Sequence, residues 1–107
     1  MKKCYIAGKI GDLPVSEFTN NFTAAKKEVE ALGMIPVSPV DLPHNHGGTW
    51  SEYMREDLIE MLKCDYVYAL RNWDSSRGAT VEVETALKIK MNIIHQKQLP
   101  AHPERTL

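Results

Sequence analysis

Three short stretches of this 107-residue chain combine glycine with polar or charged residues, and each lies in a loop that follows a predicted β-strand. They are residues 8–11 (Gly-Lys-Ile-Gly), residues 44–48 with two histidines, and residues 73–78 (Trp-Asp-Ser-Ser-Arg-Gly). In an open parallel sheet, ligands bind beyond the carboxyl ends of the strands, where such loops meet. We therefore expect these three loops to form a binding site.

The loop at residues 73–78 could bind an anion, because a predicted helix begins directly after it. The free backbone N–H groups and the positive dipole end of a helix attract phosphate. Gly78 would let a phosphate approach the backbone, Ser76 could donate a hydroxyl hydrogen bond, and Arg77 offers a planar fork of donors. The same residues also fit a serine N-cap followed by a glycine turn, so both interpretations stay open.

A carboxylate lies on the face of this helix that should pack against the protein. Glu82 shares that face with Ala79 and Ala86, two small residues that leave room for it. Glu82 could therefore serve chemistry, or it could be held inward by a structural hydrogen bond. Glu84 lies about 200° around the helix, where Lys88 at i+4 favours a solvated ion pair.

Four further polar side chains are candidates for the same site. Asp57 lies beside the apolar stripe of another predicted helix, where an aspartate needs a polar contact to be retained. Tyr5 lies in the first predicted strand, and its hydroxyl could face the cleft or belong to the core. His44 and His46 have only Asp41 as a close carboxylate, so we predict no metal site.

The composition is that of an ordinary globular domain, with 43% hydrophobic and 25% charged residues. A formal net charge of −1 gives no general attraction to nucleic acid polymers or acidic lipids. The amino-terminal apolar run is too short for a signal peptide or a membrane span, so we expect a soluble, cytoplasmic protein. Cys4 and Cys64 are isolated from each other in sequence, which predicts buried structural thiols.

Strands and helices are predicted to alternate along the chain. The predicted strands are residues 3–7, 34–37, 66–70 and 92–95, and the predicted helices are residues 16–32, 50–63 and 79–90. Pro36 removes a ladder donor, which predicts an edge strand, and the apolar run at 66–70 predicts a central one. Such alternation requires right-handed crossovers. It predicts a single α/β domain over residues 1–107, with a three-layer, doubly wound (Rossmann/flavodoxin-like) parallel sheet of about four strands.

Apolar residues at helical spacing predict which helix faces pack inward. Thr49 and Glu52 form a capping box at the start of the second helix. The tail at residues 96–107 has no core pattern, and we expect it to form a surface or exchanged arm. The predicted inward positions are Phe18, Phe22, Ala25, Val29 and Leu32 in the first helix, Trp50, Met54, Leu58, Met61 and Leu62 in the second, and Ala79, Val83, Ala86, Leu87 and Lys90 in the third.

Together, these segments resemble the nucleoside 2-deoxyribosyltransferase-like superfamily, which includes nucleotide N-glycosidases. The resemblance covers about residues 3–95 and rests on four pieces: Tyr-Ile-Ala-Gly at 5–8, Asp-Leu-Ile-Glu-Met-Leu-Lys-Cys-Asp at 57–65, Ser-Arg-Gly-Ala-Thr-Val-Glu at 76–82, and the helix that continues to Ala86. The pattern Trp-x-x-Ser-Arg-Gly-Ala-x-x-x-Glu at 73–82 is most similar to an uncharacterised branch common in bacteria and phages.

The resemblance implies an enzyme without a cofactor, in which Glu82 attacks the anomeric carbon of a nucleoside or nucleotide. The base would leave, and water or another base would resolve the glycosyl-enzyme. Asp57 would engage the sugar hydroxyls, Tyr5 would orient the glutamate, and Asp65 would fix the entry of the following strand. The residues expected to bind the substrate are Gly8, Lys9, Ile10, Trp73, Ser76, Arg77 and Gly78.

Ser76 bears on the substrate. Free-nucleoside transferases of the superfamily have an aspartate at this position, whereas nucleotide hydrolases have a serine that binds the 5′-phosphate. The resemblance therefore implies hydrolysis of the N-glycosidic bond of a (deoxy)ribonucleoside 5′-monophosphate, with Lys9 as a second positive contact. The acid that protonates the leaving base is then missing from the motif, and water, the phosphate, His44 or His46 would supply the proton.

Two alternatives remain at the level of sequence. One is a non-catalytic nucleotide-binding or sequestering module, and the other is a nucleoside deoxyribosyltransferase that exchanges bases. The resemblance also implies a homo-oligomer, in which a neighbouring subunit helps to close the pocket.

Overall fold

Four parallel strands and three α-helices alternate in the computed structural model, which describes residues 1–44 and 47–99. Two single 3₁₀ turns, Pro39–Asp41 and Trp73–Ser75, precede the second and third helices. The predicted order and fold class are confirmed. The elements are β1 (Lys3–Ala7), α1 (Val15–Ala31), β2 (Ile35–Val37), α2 (Trp50–Leu62), β3 (Tyr66–Ala69), α3 (Arg77–Lys88) and β4 (Asn92–His95).

The sheet has the strand order β2-β1-β3-β4, and every neighbouring pair is parallel. Tyr5 of β1 is in register with Val37 on one side and Val67 on the other. Pro36 lies in an edge strand and β3 lies inside the sheet, as predicted. The chain leaves β1 towards one edge of the sheet and later returns to build the other edge, so the connectivity reverses between β1 and β3. That position is where a crevice opens in such sheets.

Each face of the sheet has its own core, because successive side chains of a strand point to opposite faces. Cys4 and Ile6 pack towards α1 with Phe22 and Val29. On the other face, α2 and α3 cover the sheet through Met61, Val83 and Ala86, which cluster with Tyr5 and Ala7.

The two cysteines are buried, as predicted. Burial raises the pKa of the Cys4 thiol to about 12 and that of Cys64 to about 11. Both thiols are therefore protonated at neutral pH and are poor nucleophiles.

The predicted inward face of α2 is wrong at its two ends. Trp50 is 42% exposed and Leu62 is 54% exposed, whereas Met54 and Met61 are buried. The buried residues of the helix are Met54, Asp57 and Met61, and the half-buried Leu58 packs against the same core, as predicted. Periodicity alone therefore overestimates the buried stripe of this helix.

The predicted ends of α1 and α3 are also too long. Leu32 follows the end of α1 and is 54% exposed, and Gly33 has a φ of 81° that turns the chain towards β2. The third helix ends at Lys88, and Lys90 adopts a φ of 63° in the left-handed region. Leu87 is exposed as well, so neither Leu87 nor Lys90 extends the inward stripe.

The start of the tail is tied to the domain, contrary to the expectation of a surface arm from residue 96. Gln96 is buried, its amide donates to Glu28 of α1, and its side-chain oxygen accepts the backbone N–H of Arg71. Tyr68 donates to the same Glu28 carboxylate. Residues 100–107, where the expectation of an arm also falls, lie outside the described part of the chain. None of the helices within residues 1–44 and 47–99 has the length and apolar character needed to cross a bilayer.

Candidate active site

A cavity of about 600 Å³ opens beyond the carboxyl ends of β1 and β3, at the reversal of connectivity. Five parts of the chain form its wall: the loop after β1, the start of α1, the segment between β2 and α2, the first turns of α2, and the first turns of α3 with the two residues before them. The lining residues are Gly8, Lys9, Ile10, Gly11, Asp12, Phe18, Pro39, Val40, His44, Trp50, Tyr53, Met54, Asp57, Ser75, Ser76, Arg77, Gly78, Ala79 and Glu82.

The rim is built where the loop after β1 crosses the loop after β3. A Cβ atom at Gly8 would lie 2.7 Å from Cγ of Leu70, so only glycine allows this close approach. The next residue, Lys9, donates its backbone N–H to Oδ1 of Asn72 at 3.1 Å. These two contacts hold Lys9 and Ile10 at the mouth of the cavity.

Ser76 is the N-cap of α3, because its Oγ accepts the N–H of Ala79 at 3.1 Å. The hydroxyl hydrogen of Ser76 can still be donated to a ligand, since a serine hydroxyl is donor and acceptor at once. The first turn of α3 contains no acidic residue. By contrast, the first turn of α2 contains Glu52, which completes the predicted capping box with Thr49. The positive end of α3 is therefore the one that can attract an anion.

Gly78 allows α3 to pack closely against α2. A Cβ at this position would lie 3.2 Å from Sδ of Met54 and 4.0 Å from Nε1 of Trp50. The guanidinium of Arg77 lies over the Trp50 ring, 3.8 Å from its centroid. The exposed Trp50 thus holds a cation beside the cavity through a cation–π contact.

Glu82 lies at the floor of the cavity, with 4% of its surface exposed. Tyr5, 77 residues away in sequence, donates its hydroxyl to Oε2 of Glu82 at 2.6 Å. Burial raises the pKa of the Glu82 carboxyl to about 8, and nearby Asp57 also raises it, while the hydrogen bond from Tyr5 lowers it. The pKa of Tyr5 is raised well above its ordinary value by burial and by Glu82, so the phenol keeps its hydrogen.

Asp57 is the second buried carboxyl of the cavity wall, at 9% exposure. Nε2 of His44 lies 2.7 Å from its Oδ1, and the carboxylate of Glu56 is 3.8 Å from the same nitrogen. Burial raises the pKa of Asp57, and the hydrogen bond and charge of His44 oppose that change. The ring of His44 also lies against that of Tyr53, with a centroid distance of 5.1 Å.

The structure brings most of the expected site residues to this cavity. Tyr5 contacts the cavity floor through its hydrogen bond to Glu82. Eight others line the cavity: Gly8, Lys9, Ile10, Asp57, Ser76, Arg77, Gly78 and Glu82. Trp73 is placed elsewhere. It packs against the core on the α2 and α3 face and contacts the ring of His95 at 6.0 Å between centroids.

Several other expectations have a structural outcome. Asp65 accepts the backbone N–H of Lys3 at 2.9 Å and so ties the start of β3 to β1. Glu84 is exposed, as predicted. The sequence suggested His44 only as one possible proton donor to the leaving base, and no sequence signal pointed to its pairing with Asp57. His46 lies outside the described residues. In the part of the chain that the structure describes, no three His, Cys, Asp or Glu side chains are grouped to hold a metal ion.

The chain matches one family model, and its fold is similar to those of solved structures. The family Domain of unknown function (DUF4406) matches residues 2–95. A 2-deoxyribosyltransferase from the psychrotolerant bacterium Bacillus psychrosaccharolyticus has a TM-score of 0.67 and 17% identity, over 92% of this chain and 77% of that one. A 2-desoxiribosyltransferase from Leishmania mexicana has a TM-score of 0.63 and 16% identity, over 97% and 71%. The curated proteins gave no significant match. The resemblance to the nucleoside 2-deoxyribosyltransferase-like superfamily is thereby confirmed for the fold.

Proposed function

Because the chain belongs to the DUF4406 family and shares its fold with 2-deoxyribosyltransferases, we propose that it cleaves the N-glycosidic bond of a nucleoside-type substrate and transfers the sugar to an acceptor base, with Glu82 as the nucleophile. The observation that carries this proposal is the buried Tyr5–Glu82 hydrogen bond of 2.6 Å at the floor of a cavity that also contains Asp57. Paired carboxyls of this kind suit chemistry at an anomeric carbon.

In the first step, an ionised Glu82 oxygen forms a bond to the anomeric carbon while the bond from that carbon to the base nitrogen breaks. The base takes the bonding electron pair and a proton from water. In the second step, a nitrogen of an acceptor base bonds to the anomeric carbon and loses its proton to water, while the bond from that carbon to Glu82 breaks and the free carboxylate is regenerated. Water in place of the base would make the same enzyme a hydrolase.

The surroundings of Glu82 support this role. A carboxyl with a pKa of about 8 is a weak nucleophile at neutral pH, because it mostly retains its proton. The positive charge that develops on the sugar ring favours the anion electrostatically in a buried site. The hydrogen bond from Tyr5 acts in the same direction and fixes one carboxyl oxygen. Asp57 would hold the sugar hydroxyls at the opposite wall.

A second candidate function is hydrolysis of a nucleoside 5′-monophosphate, and the cationic end of the cavity supports it. Lys9 and Arg77 line the same rim as the N-terminus of α3, and Ser76 has a hydroxyl hydrogen to donate. These groups could hold a 5′-phosphate while the sugar lies over Glu82.

The experiment is a panel of nucleosides and nucleoside 5′-monophosphates, each incubated with and without an added acceptor base and analysed by chromatography. Transfer predicts a new nucleoside only when the acceptor is present, whereas hydrolysis predicts free base without it. Glu82→Gln should abolish either product, and Glu84→Gln, an exposed glutamate of the same helix, should retain activity. Binding without turnover, unchanged by Glu82→Gln, would replace the catalytic proposal with the nucleotide-binding alternative.

A second comparison tests the phosphate end. Arg77→Gln should weaken binding of a monophosphate and leave binding of the corresponding nucleoside nearly unchanged, because only the phosphate would contact the guanidinium. Lys88→Gln removes one positive charge from the other end of α3 and serves as the control. Equal loss for nucleoside and monophosphate would show that Arg77 does not recognise a phosphate.

A further inference from the structure

His44 lies in the cavity wall, and the residues that precede it after β2 are held in place by two contacts. Lys26 of α1 forms an ion pair with Asp41 at 2.7 Å, and the Ser38 hydroxyl accepts the backbone N–H of Val40. Beyond the histidine, the capping box at Thr49 fixes the start of α2. His44 is thereby placed beside a helix that lies later in the chain.

His44 and Asp57 form a close, largely buried pair. Nε2 of His44 lies 2.7 Å from Oδ1 of Asp57, and their side chains are 16% and 13% exposed. An ionised carboxylate can only accept hydrogen bonds, so the histidine nitrogen is the donor. Hydrogen bonds to a charged group in a poorly solvated place are among the stronger ones in proteins.

Asp57 is otherwise surrounded by groups that favour its protonated form. Glu56 of the same helix raises its pKa, and burial raises it most. From the other elements, Glu82 of α3 and the Tyr5 hydroxyl of β1 face the same cavity region, and Asp57 in turn raises the pKa of each. Among the described groups, His44 is the one whose contact lowers the pKa of Asp57.

We propose that His44 is a positioning residue that keeps Asp57 ionised and holds its carboxylate in place, so that Asp57 can accept hydrogen bonds from the sugar hydroxyls. This inference rests on the proposed function, because it assigns Asp57 to the sugar. His44 acts through Asp57, and its loss turns a pure acceptor into a carboxylic acid that also donates. The site would then be impaired most at low pH and would recover as Asp57 ionises by itself.

The first test measures Asp57 directly and needs no substrate. The ¹³C chemical shift of the Asp57 carboxyl is followed by NMR as a function of pH in the parent protein and in His44→Gln. The pKa of Asp57 should be higher in the variant, because a contact that lowers it has been removed. His95→Gln, an exposed histidine at the end of β4, should leave the Asp57 titration unchanged. An identical Asp57 titration in the parent and His44→Gln would overturn the inference even if the protein proves to be an enzyme.

The second test uses catalysis on whichever substrate the panel identifies. We expect His44→Gln to lower kcat/KM by about 10-fold or more near pH 6, as for loss of a hydrogen bond to a charged group, and the deficit to shrink as the pH rises. Asp57→Asn, which cannot ionise, should show a deficit that does not recover with pH. A purely structural role predicts a pH-independent deficit in His44→Gln, and that result would also overturn the inference. His44→Asn serves as a second variant if His44→Gln does not fold.

If no member of the panel is cleaved, the proposed function fails, whereas the NMR titration still decides whether His44 controls Asp57. The two claims can therefore fail separately.

Discussion

Burial of the Glu82 carboxyl should make the stability of this protein fall as the pH rises, and Glu82→Gln should remove that dependence. The pKa of Glu82 is raised from 4.5 to about 8, chiefly by burial. A carboxyl whose pKa is raised by folding contributes stability that is fully present below its unfolded pKa and is lost as the pH rises through its folded pKa. Each pKa unit corresponds to about 1.4 kcal/mol. The loss between these two pH values is therefore up to about 5 kcal/mol, a large part of the stability of an ordinary domain.

Glutamine is close in shape to the protonated acid and can still accept the Tyr5 hydroxyl hydrogen bond, but it does not titrate. The amide carries a second hydrogen that the protonated acid lacks, and any loss of stability from burying it is the same at every pH. The quantity to measure is the difference in unfolding free energy between Glu82→Gln and the parent, by urea denaturation between about pH 5 and pH 8. We expect the unfolding free energy of the variant to rise steadily relative to that of the parent as the pH increases over this range.

Glu84→Gln provides the matched control, because Glu84 lies on the same helix but is exposed. Its stability difference from the parent should change little with pH. Titration of the groups that do not interact with Glu82 is common to the proteins and cancels in the difference. If the difference in unfolding free energy between Glu82→Gln and the parent stays constant from pH 5 to pH 8, the Glu82 carboxyl is ionised in the folded protein over that range. The argument from burial is then refuted.

Three further changes follow from individual contacts. Tyr5→Phe should lower kcat/KM by about 10- to 100-fold. The Tyr5 hydrogen bond lowers the pKa of Glu82, so its removal should raise that pKa and move the acid limb of the pH profile of kcat/KM to higher pH. An unmoved pH profile would contradict this. Gly8→Ala should destabilise the protein by about 1–3 kcal/mol in urea denaturation, because the added methyl overlaps a buried leucine side chain, and unchanged stability would contradict the close approach. Gln96→Ala should cost about 1–3 kcal/mol through its two lost hydrogen bonds, whereas Gln98→Ala, an exposed neighbour, should change the unfolding free energy little.

The sequence predicted the elements well, because short-range rules decide them. Alternating apolar runs and helical spacing place four strands and three helices, and β1 and β4 have the predicted bounds. Pro36 alone was enough to put β2 at an edge. The errors lie at helix ends, as with Leu62 and Lys90, where burial depends on how far the neighbouring elements extend. Periodicity contains no information on that length.

The candidate site was predictable in part. The spacing from Ser76 to Glu82 on one helix is local, so the sequence placed both on the side facing the cleft. The contact between Tyr5 and Glu82 spans 77 residues, and only the family resemblance suggested it. The pairing of His44 with Asp57 had no signal in the sequence, since it depends on where His44 lies relative to α2 in the folded protein.

The structure gives the glycine of the Ser-Arg-Gly motif a role in helix packing. Gly78 lines the cavity, where we predict that it admits a phosphate to the backbone, and the atoms nearest to a Cβ there belong to Met54 and Trp50 of α2. The glycine therefore sets the distance between the two helices. That close packing brings Asp57 of α2 near enough to raise the pKa of Glu82 on α3. Burial remains the chief cause of the raised pKa of Glu82, and the glycine of the motif contributes to the surroundings of that carboxyl through helix packing, whatever group the serine and arginine bind.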